Sequence, residues 1–115
     1  MTDQAIDWRT CPKVDTSIVG ALVAAVGPDT FAALKTQFAE DLQAQATAHL
    51  QARHDGDDPA AHQAAHALRG AALNIGLTQL GHLAGALERG ERGDEGELPG
   101  VLTVSISSLM ASGKS

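Results

Sequence analysis

The sequence predicts an all-α protein: an antiparallel up-down-up-down four-helix bundle with a short additional N-terminal helix. Three observations lead there. Apolar residues recur at helical spacing along most of the chain. Aromatic residues are only 3% of the total, so Ala, Leu, Val and Ile must build the core, and Ala is the best helix former. Asp, Pro and Gly punctuate the periodic segments into helices joined by short loops, the pattern of an antiparallel bundle.

The 115 residues suit a single domain, 1–115, with 1–14 as an N-terminal arm and 111–115 as a frayed tail. The arm holds Pro12 and mixed polar residues without a clear period. Trp8 reads as a local packing anchor, with a partner-binding anchor as the other option. In residues 15–26, Ile18, Leu22 and Val26 share a helical stripe, with Asp15, Thr16 or Ser17 as the N-cap. Gly27-Pro28 ends that helix.

Residues 29–54 give the clearest helix. Phe31, Leu34, Phe38, Leu42, Gln45, Ala46 and His49 trace its stripe, and Lys35, Glu40, Asp41, Gln43 and Gln51 fall mostly off it. Asp55-Gly56-Asp57-Asp58-Pro59 is a turn and also a helix start, with acids ahead of a Pro that fits a first turn. The third helix runs from 59 or 60 to about 75, with Gly76 as its stop. The fourth runs from about 77 to 89 or 92 on Leu77, Leu80, Leu83, Ala84 and Leu87. Residues 90–100 form a Gly- and Glu-rich connector. Residues 98–110 are ambiguous. Leu98, Leu102, Ser105 and Leu109 suit a helix, while Leu102, Val104 and Ile106 alternate as in a strand. A helix is expected, because a lone strand in a helical chain has no partner.

Several function classes are disfavoured. A net charge of −6 argues against nucleic acid and anionic membranes as partners. The single Cys11 excludes an internal disulfide framework and a Cys-rich zinc site. The longest apolar run, 21–26, is too short to span a bilayer. Met1-Thr2-Asp3-Gln4 lacks the character of a signal peptide, so a cytoplasmic location is expected. There is no Gly-rich nucleotide loop and no length for an ATP-binding domain, so the chain is not expected to be a kinase.

The third helix carries the chemistry. On a wheel of about 3.6 residues per turn, Ala61, Ala64, Ala65, Leu68, Ala71, Ala72 and Ile75 share one face. The opposite face carries His62, His66, Arg69 and Leu73, with Gly70 beside them. Arg69, three residues after His66, can reach an anion bound there. Gly70 is unfavourable in mid-helix but leaves room for another protein to approach. Leu73 would add exposed apolar surface. Together these residues describe a docking face centred on an imidazole.

The run Ala65-His66-Ala67-Leu68-Arg69-Gly70-Ala71-Ala72-Leu73-Asn74-Ile75-Gly76, followed by Leu80, Leu83 and Leu87-Glu88, resembles the histidine-containing phosphotransfer (HPt) domain. The match lies at His66, Leu68, Gly70, Ala71, Ala72, Ile75 and Gly76. The departure is Arg69, where the family most often has Lys; the charge is kept and the hydrogen-bonding geometry changes. The resemblance implies a helical bundle whose exposed His66 accepts a phosphoryl group. The group would pass to or from an aspartate of a response-regulator receiver domain, within a relay fed by a hybrid or sensor histidine kinase. It also implies a Gln or Glu near the His from the following helix, and Glu88 fits by position. No cofactor is expected on this chain; the resemblance places Mg²⁺ on the receiver.

The chemistry agrees. An unperturbed imidazole titrates near about 6.5, so a neutral nucleophilic fraction exists at neutral pH. A carboxylate accepting one ring N–H holds the tautomer that leaves the other nitrogen free, and Glu88 is the candidate. Arg69 would offset phosphoryl charge. His62, Gly70, Leu73, Gly81 and Gly85 are assigned to the partner-binding face. His62 could instead shape the phosphoryl site, and Gly81 and Gly85 could instead serve close helix packing.

His62 and His66 also have the spacing of two zinc ligands, but position 63 is Gln63 where a zincin has Glu. No third ligand is evident, and His82 points away from its own core face, so no metal site is expected. His49 reads as a half-buried packing residue, and His54 sits at a helix C-terminus, where a cation is favourable. A monomer is expected. The competing functional reading is a helical interaction module that kept the bundle and lost the phosphotransfer chemistry.

Overall fold

The computed structural model describes residues 7–112; the outermost parts of the expected arm and tail, 1–6 and 113–115, lie outside it. Five α-helices follow in order: α1 Thr16–Val26, α2 Pro28–Asp55, α3 Asp58–Asn74, α4 Thr78–Glu88 and α5 Leu98–Ala111. Short 3₁₀ turns precede α1 at Trp8–Thr10 and α5 at Glu95–Glu97. No strand occurs among the described residues, so the ambiguous last segment is a helix. Helix α3 packs between α2 and α4, α5 closes the bundle against α2 and α4, and α1 lies on α2.

The helix ends follow from local chemistry. Asp15 caps α1 by accepting from the Ser17 and Ile18 N–H groups, and Asp57 caps α3 by accepting from Ala60. Pro28, Pro59 and Pro99 occupy first turns, where their missing N–H costs nothing. Helices α3 and α4 end in the same way. Gly76 and Gly90 take left-handed φ values of 85° and 87°, and the residue after each returns its N–H to the preceding turn.

The core is aliphatic. Leu42, Leu68, Ile75, Leu77, Leu80, Leu83, Leu98 and Leu109 are fully buried together with Phe31. On α3, the small residues Ala61, Ala64, Ala65 and Ala72 are buried and let its neighbours approach closely. All five residues of the expected fourth stripe are buried, four of them on α4 and Leu77 just ahead of it.

Four expectations change. Val26 is exposed and Val19 is the buried residue of α1. The start of α1 is docked, since Asp15 N–H donates to the Gly76 carbonyl at 2.7 Å, and Val19, Leu22 and Val23 pack against the core while Val26 does not. Lys35 is buried rather than off the stripe. Its stem lies in the core and its Nζ donates to the Met110 and Ser112 carbonyls, both at 2.9 Å, satisfying the end of α5. On α5, Val101 is buried where Leu102 was expected, and the Ser105 hydroxyl has no hydrogen-bond partner among the described residues. The connector is shorter than 90–100, because α5 begins at Leu98 with Pro99 and Gly100 in its first turn.

Trp8 is a packing anchor, but its partner is distant in sequence and not local. It is buried, and its Nε1–H donates to Asp94 at 2.9 Å. The Arg9 guanidinium stacks 4.4 Å from the Trp8 ring centre and pairs with the same carboxylate at 2.8 Å. The segment before α1 is thereby tied to the connector before α5. No described helix is long and apolar enough to cross a membrane.

Candidate functional site

Burying the Ala-rich face of α3 turns its opposite face outward. The His66 side chain is 63% exposed. Its ring leans toward the last residue of α4, where Nδ1–H donates to Glu88 Oε2 at 2.7 Å. A carboxylate only accepts, so this contact places the ring proton on Nδ1 and leaves the Nε2 lone pair free. Nε2 makes no hydrogen bond within the described residues.

Glu88 is the hub. Arg69 Nε lies 2.8 Å from its Oε1, an ion pair by distance, although the Nε–H forms no hydrogen bond among the described residues. His62 Nδ1–H donates to the Glu88 backbone carbonyl at 2.8 Å. Burial alone pushes the Glu88 carboxyl up. The hydrogen bond from His66 and the nearby charges of Arg69, His66 and His62 outweigh it and hold the group below its ordinary value. The site therefore presents an ionised carboxylate to the imidazole near neutral pH. His62, Gln63, His66 and Glu88 border an open cavity of about 330 Å³.

The structure brings His66, Arg69, Glu88 and His62 together. Gly70 is exposed, with open space where a Cβ would stand. Leu73 departs from expectation: it is half-buried and lies over Gly81 instead of presenting free apolar surface. Gly81 and Gly85 are both buried. A Cβ on Gly81 would overlap the Leu73 side chain, with Leu73 Cγ 2.6 Å away, and one on Gly85 would stand 3.2 Å from Arg69 Cδ. The two glycines sit beneath α3 side chains and not on open surface.

Sequence reasoning missed a second polar cluster behind the site. His49 is fully buried, not half-buried. Its ring faces the Ala61 carbonyl through Nδ1 and Glu95 Oε2 through Nε2, both at 2.9 Å. Arg53 donates to the same Glu95 oxygen at 3.0 Å and to Asp58 at 2.7 Å. With Arg92 and His62 these groups line a cleft of about 220 Å³. The available signal was His49 and Arg53, four apart on α2, with an acidic connector free to meet them. Among the described residues, no group of three or more His, Cys, Asp or Glu side chains stands together as a metal site.

A comparison with known protein families matches residues 33–111 to the Hpt domain, well over half of the chain and from the first turns of α2 to the end of α5. The chain belongs to the Hpt domain family. No curated protein and no solved structure matches it. Hpt domains serve histidine phosphotransfer in phosphorelays, work with receiver-domain and kinase partners, and carry no kinase machinery of their own. In this Hpt domain the family match covers the four bundle helices, and α1 lies before it.

Proposed function

We propose that this Hpt domain is a phosphocarrier that accepts a phosphoryl group on His66 Nε2 and exchanges it with an aspartate of a response-regulator receiver domain. One observation carries the reading: an exposed imidazole whose Nδ1–H is taken by the Glu88 carboxylate, on the helix that bears the family motif.

The step balances without a base from this chain. The Nε2 lone pair forms the N–P bond as the P–O bond to the receiver aspartate breaks, and that electron pair returns to the aspartate carboxylate. The ring then carries phosphoryl on Nε2 and a proton on Nδ1, and so gains positive charge. Glu88 Oε2 stands 2.7 Å from Nδ1 and offsets that charge. Arg69, whose contact with Glu88 is through Nε, has its terminal nitrogens available to the phosphoryl oxygens. The divalent cation that neutralises the transferring group belongs, in this reading, on the receiver. Exposed Gly70 supports close approach of the partner. A monomeric carrier in the cytoplasm is part of the same reading.

Transfer from a phosphorylated receiver domain, with the parent protein and His66→Gln, tests it. Acid-labile, base-stable label on the parent and none on the variant is expected. Label persisting on the variant moves the acceptor to another histidine. A parent that binds the receiver but takes no label supports the interaction-module reading instead.

A further inference from the structure

We propose that His62 is a positioning residue of the phosphotransfer site: by closing the last carbonyl of α4, it sets where the Glu88 carboxylate stands against His66. The inference rests on the reading of His66 as acceptor and extends it.

The last carbonyls of a helix have no partner within it. Here the turn through Gly90 satisfies three of them in succession. Arg89 N–H donates to Gly85, Glu91 N–H to Ala86 and Gly90 N–H to Leu87. Among the described residues, the Glu88 carbonyl receives no backbone N–H, and the His62 ring fills that place at 2.8 Å. A carbonyl only accepts, so His62 holds its proton on Nδ1 as His66 does.

One residue of α4 thus takes both imidazoles of α3, His62 at its backbone and His66 at its carboxylate. The spacing makes this possible, because residues four apart on α3 face the same way. The contact at the carbonyl pins the backbone of Glu88 to α3, one turn before His66. Without it, the Glu88 carbonyl has no tie to α3, and the residue is joined to α3 only through its carboxylate, by His66 and Arg69. Its carboxylate then gains freedom to leave the imidazole. His62 does not share the site's other support: Arg69 lies against Glu88, three residues beyond His66 and a further turn from His62.

The test uses the full chain and the variants His62→Ala and His62→Asn. The Asn amide N–H reaches about as far as imidazole Nδ1 and can donate to the carbonyl. The first readout is the tautomer of His66, taken from imidazole nitrogen chemical shifts of isotopically labelled protein, which needs no phosphoryl donor. The parent is expected to show the proton on Nδ1. His62→Ala is expected to show a mixture of tautomers with unchanged helical circular dichroism, and His62→Asn to return toward the parent. The transfer rate from a phosphorylated receiver should fall about 3- to 10-fold in His62→Ala, the effect of one neutral hydrogen bond, and recover in His62→Asn.

An unchanged His66 tautomer in His62→Ala overturns the proposal, and slower transfer alongside it assigns His62 to partner contact. An Asn variant indistinguishable from the Ala variant also overturns it, since the carbonyl contact is then not what acts. Should the parent take no label while the tautomer responds as expected, the carrier reading fails and the positioning stands.

Discussion

Arg69 lies across α4 at Gly85, where a Cβ would stand 3.2 Å from Arg69 Cδ. The glycine gives the arginine its path to Glu88, whose Oε1 is 2.8 Å from Arg69 Nε. Gly85→Ala therefore displaces a flexible side chain by a few tenths of an ångström. Replacing a mid-helix Gly by Ala adds up to about 1 kcal/mol of helix propensity. Unchanged or raised thermal stability with a transfer rate several-fold lower is expected. Gly81→Ala behaves differently, because Leu73 and its backbone nitrogen lie above that position. Overpacking there should cost about 1–3 kcal/mol, seen as a lower unfolding midpoint.

Glu88 serves His66 as an acceptor and as a charge. Glu88→Gln keeps an oxygen for Nδ1–H and removes the charge, whereas Glu88→Ala removes both. The expected order of transfer rates is parent, Gln, Ala, with the Ala variant about 10- to 100-fold below the parent. Single-turnover transfer from a phosphorylated receiver measures it. Equal rates for all three would remove Glu88 from the mechanism.

Two carboxyls link the fold to acid. Burial pushes Glu88 up, but His66, Arg69 and His62 together hold it below its ordinary value, and Arg9 first and Trp8 second hold Asp94 below its own. In acid the unfolded chain therefore binds more protons than the folded one, and stability falls with pH. The contribution is complete above the ordinary carboxylate range of about 4 and is lost as pH drops through the lower folded values. Urea unfolding between neutral pH and acid should show the decline. Glu88→Gln and Asp94→Asn should each make it shallower.

Lys35 is the buried cation that closes α5. Lys35→Met keeps most of the stem and strips the Met110 and Ser112 carbonyls of their donor. A loss of about 1 kcal/mol in chemical denaturation is expected, the net worth of hydrogen bonds to part-buried carbonyls. Lys35→Arg should lose less. A Met variant as stable as the parent would mean that water serves those carbonyls equally well.

Much of this molecule could be read along the chain. The stripe of α4 and the alanine face of α3 are periodic, local features, and burial follows them. Asp15, Asp57, Gly76 and Gly90 act within one turn of their own positions, so helix boundaries near them were legible. The outward turn of His66 followed from the same periodicity. Lys35 and Leu73 were misplaced because a long side chain can leave the direction its wheel position suggests and fold over a neighbouring helix. His49 stands on its expected stripe but is buried more deeply than expected, because Glu95 from the connector before α5 meets its ring.

The sequence by itself determined which segments are helical, which face of α3 is buried, and that an imidazole with an adjacent cation faces away from the core. Those properties depend on spacing along one helix. Only the tertiary structure decided that the end of α4 comes level with His62 and His66. It also placed Arg69 over Gly85, and set a buried His49 between a carbonyl and Glu95. Such contacts depend on how far one helix slides and turns against the next. That register is set by the summed packing of small side chains across the whole interface, and no single residue spacing encodes it.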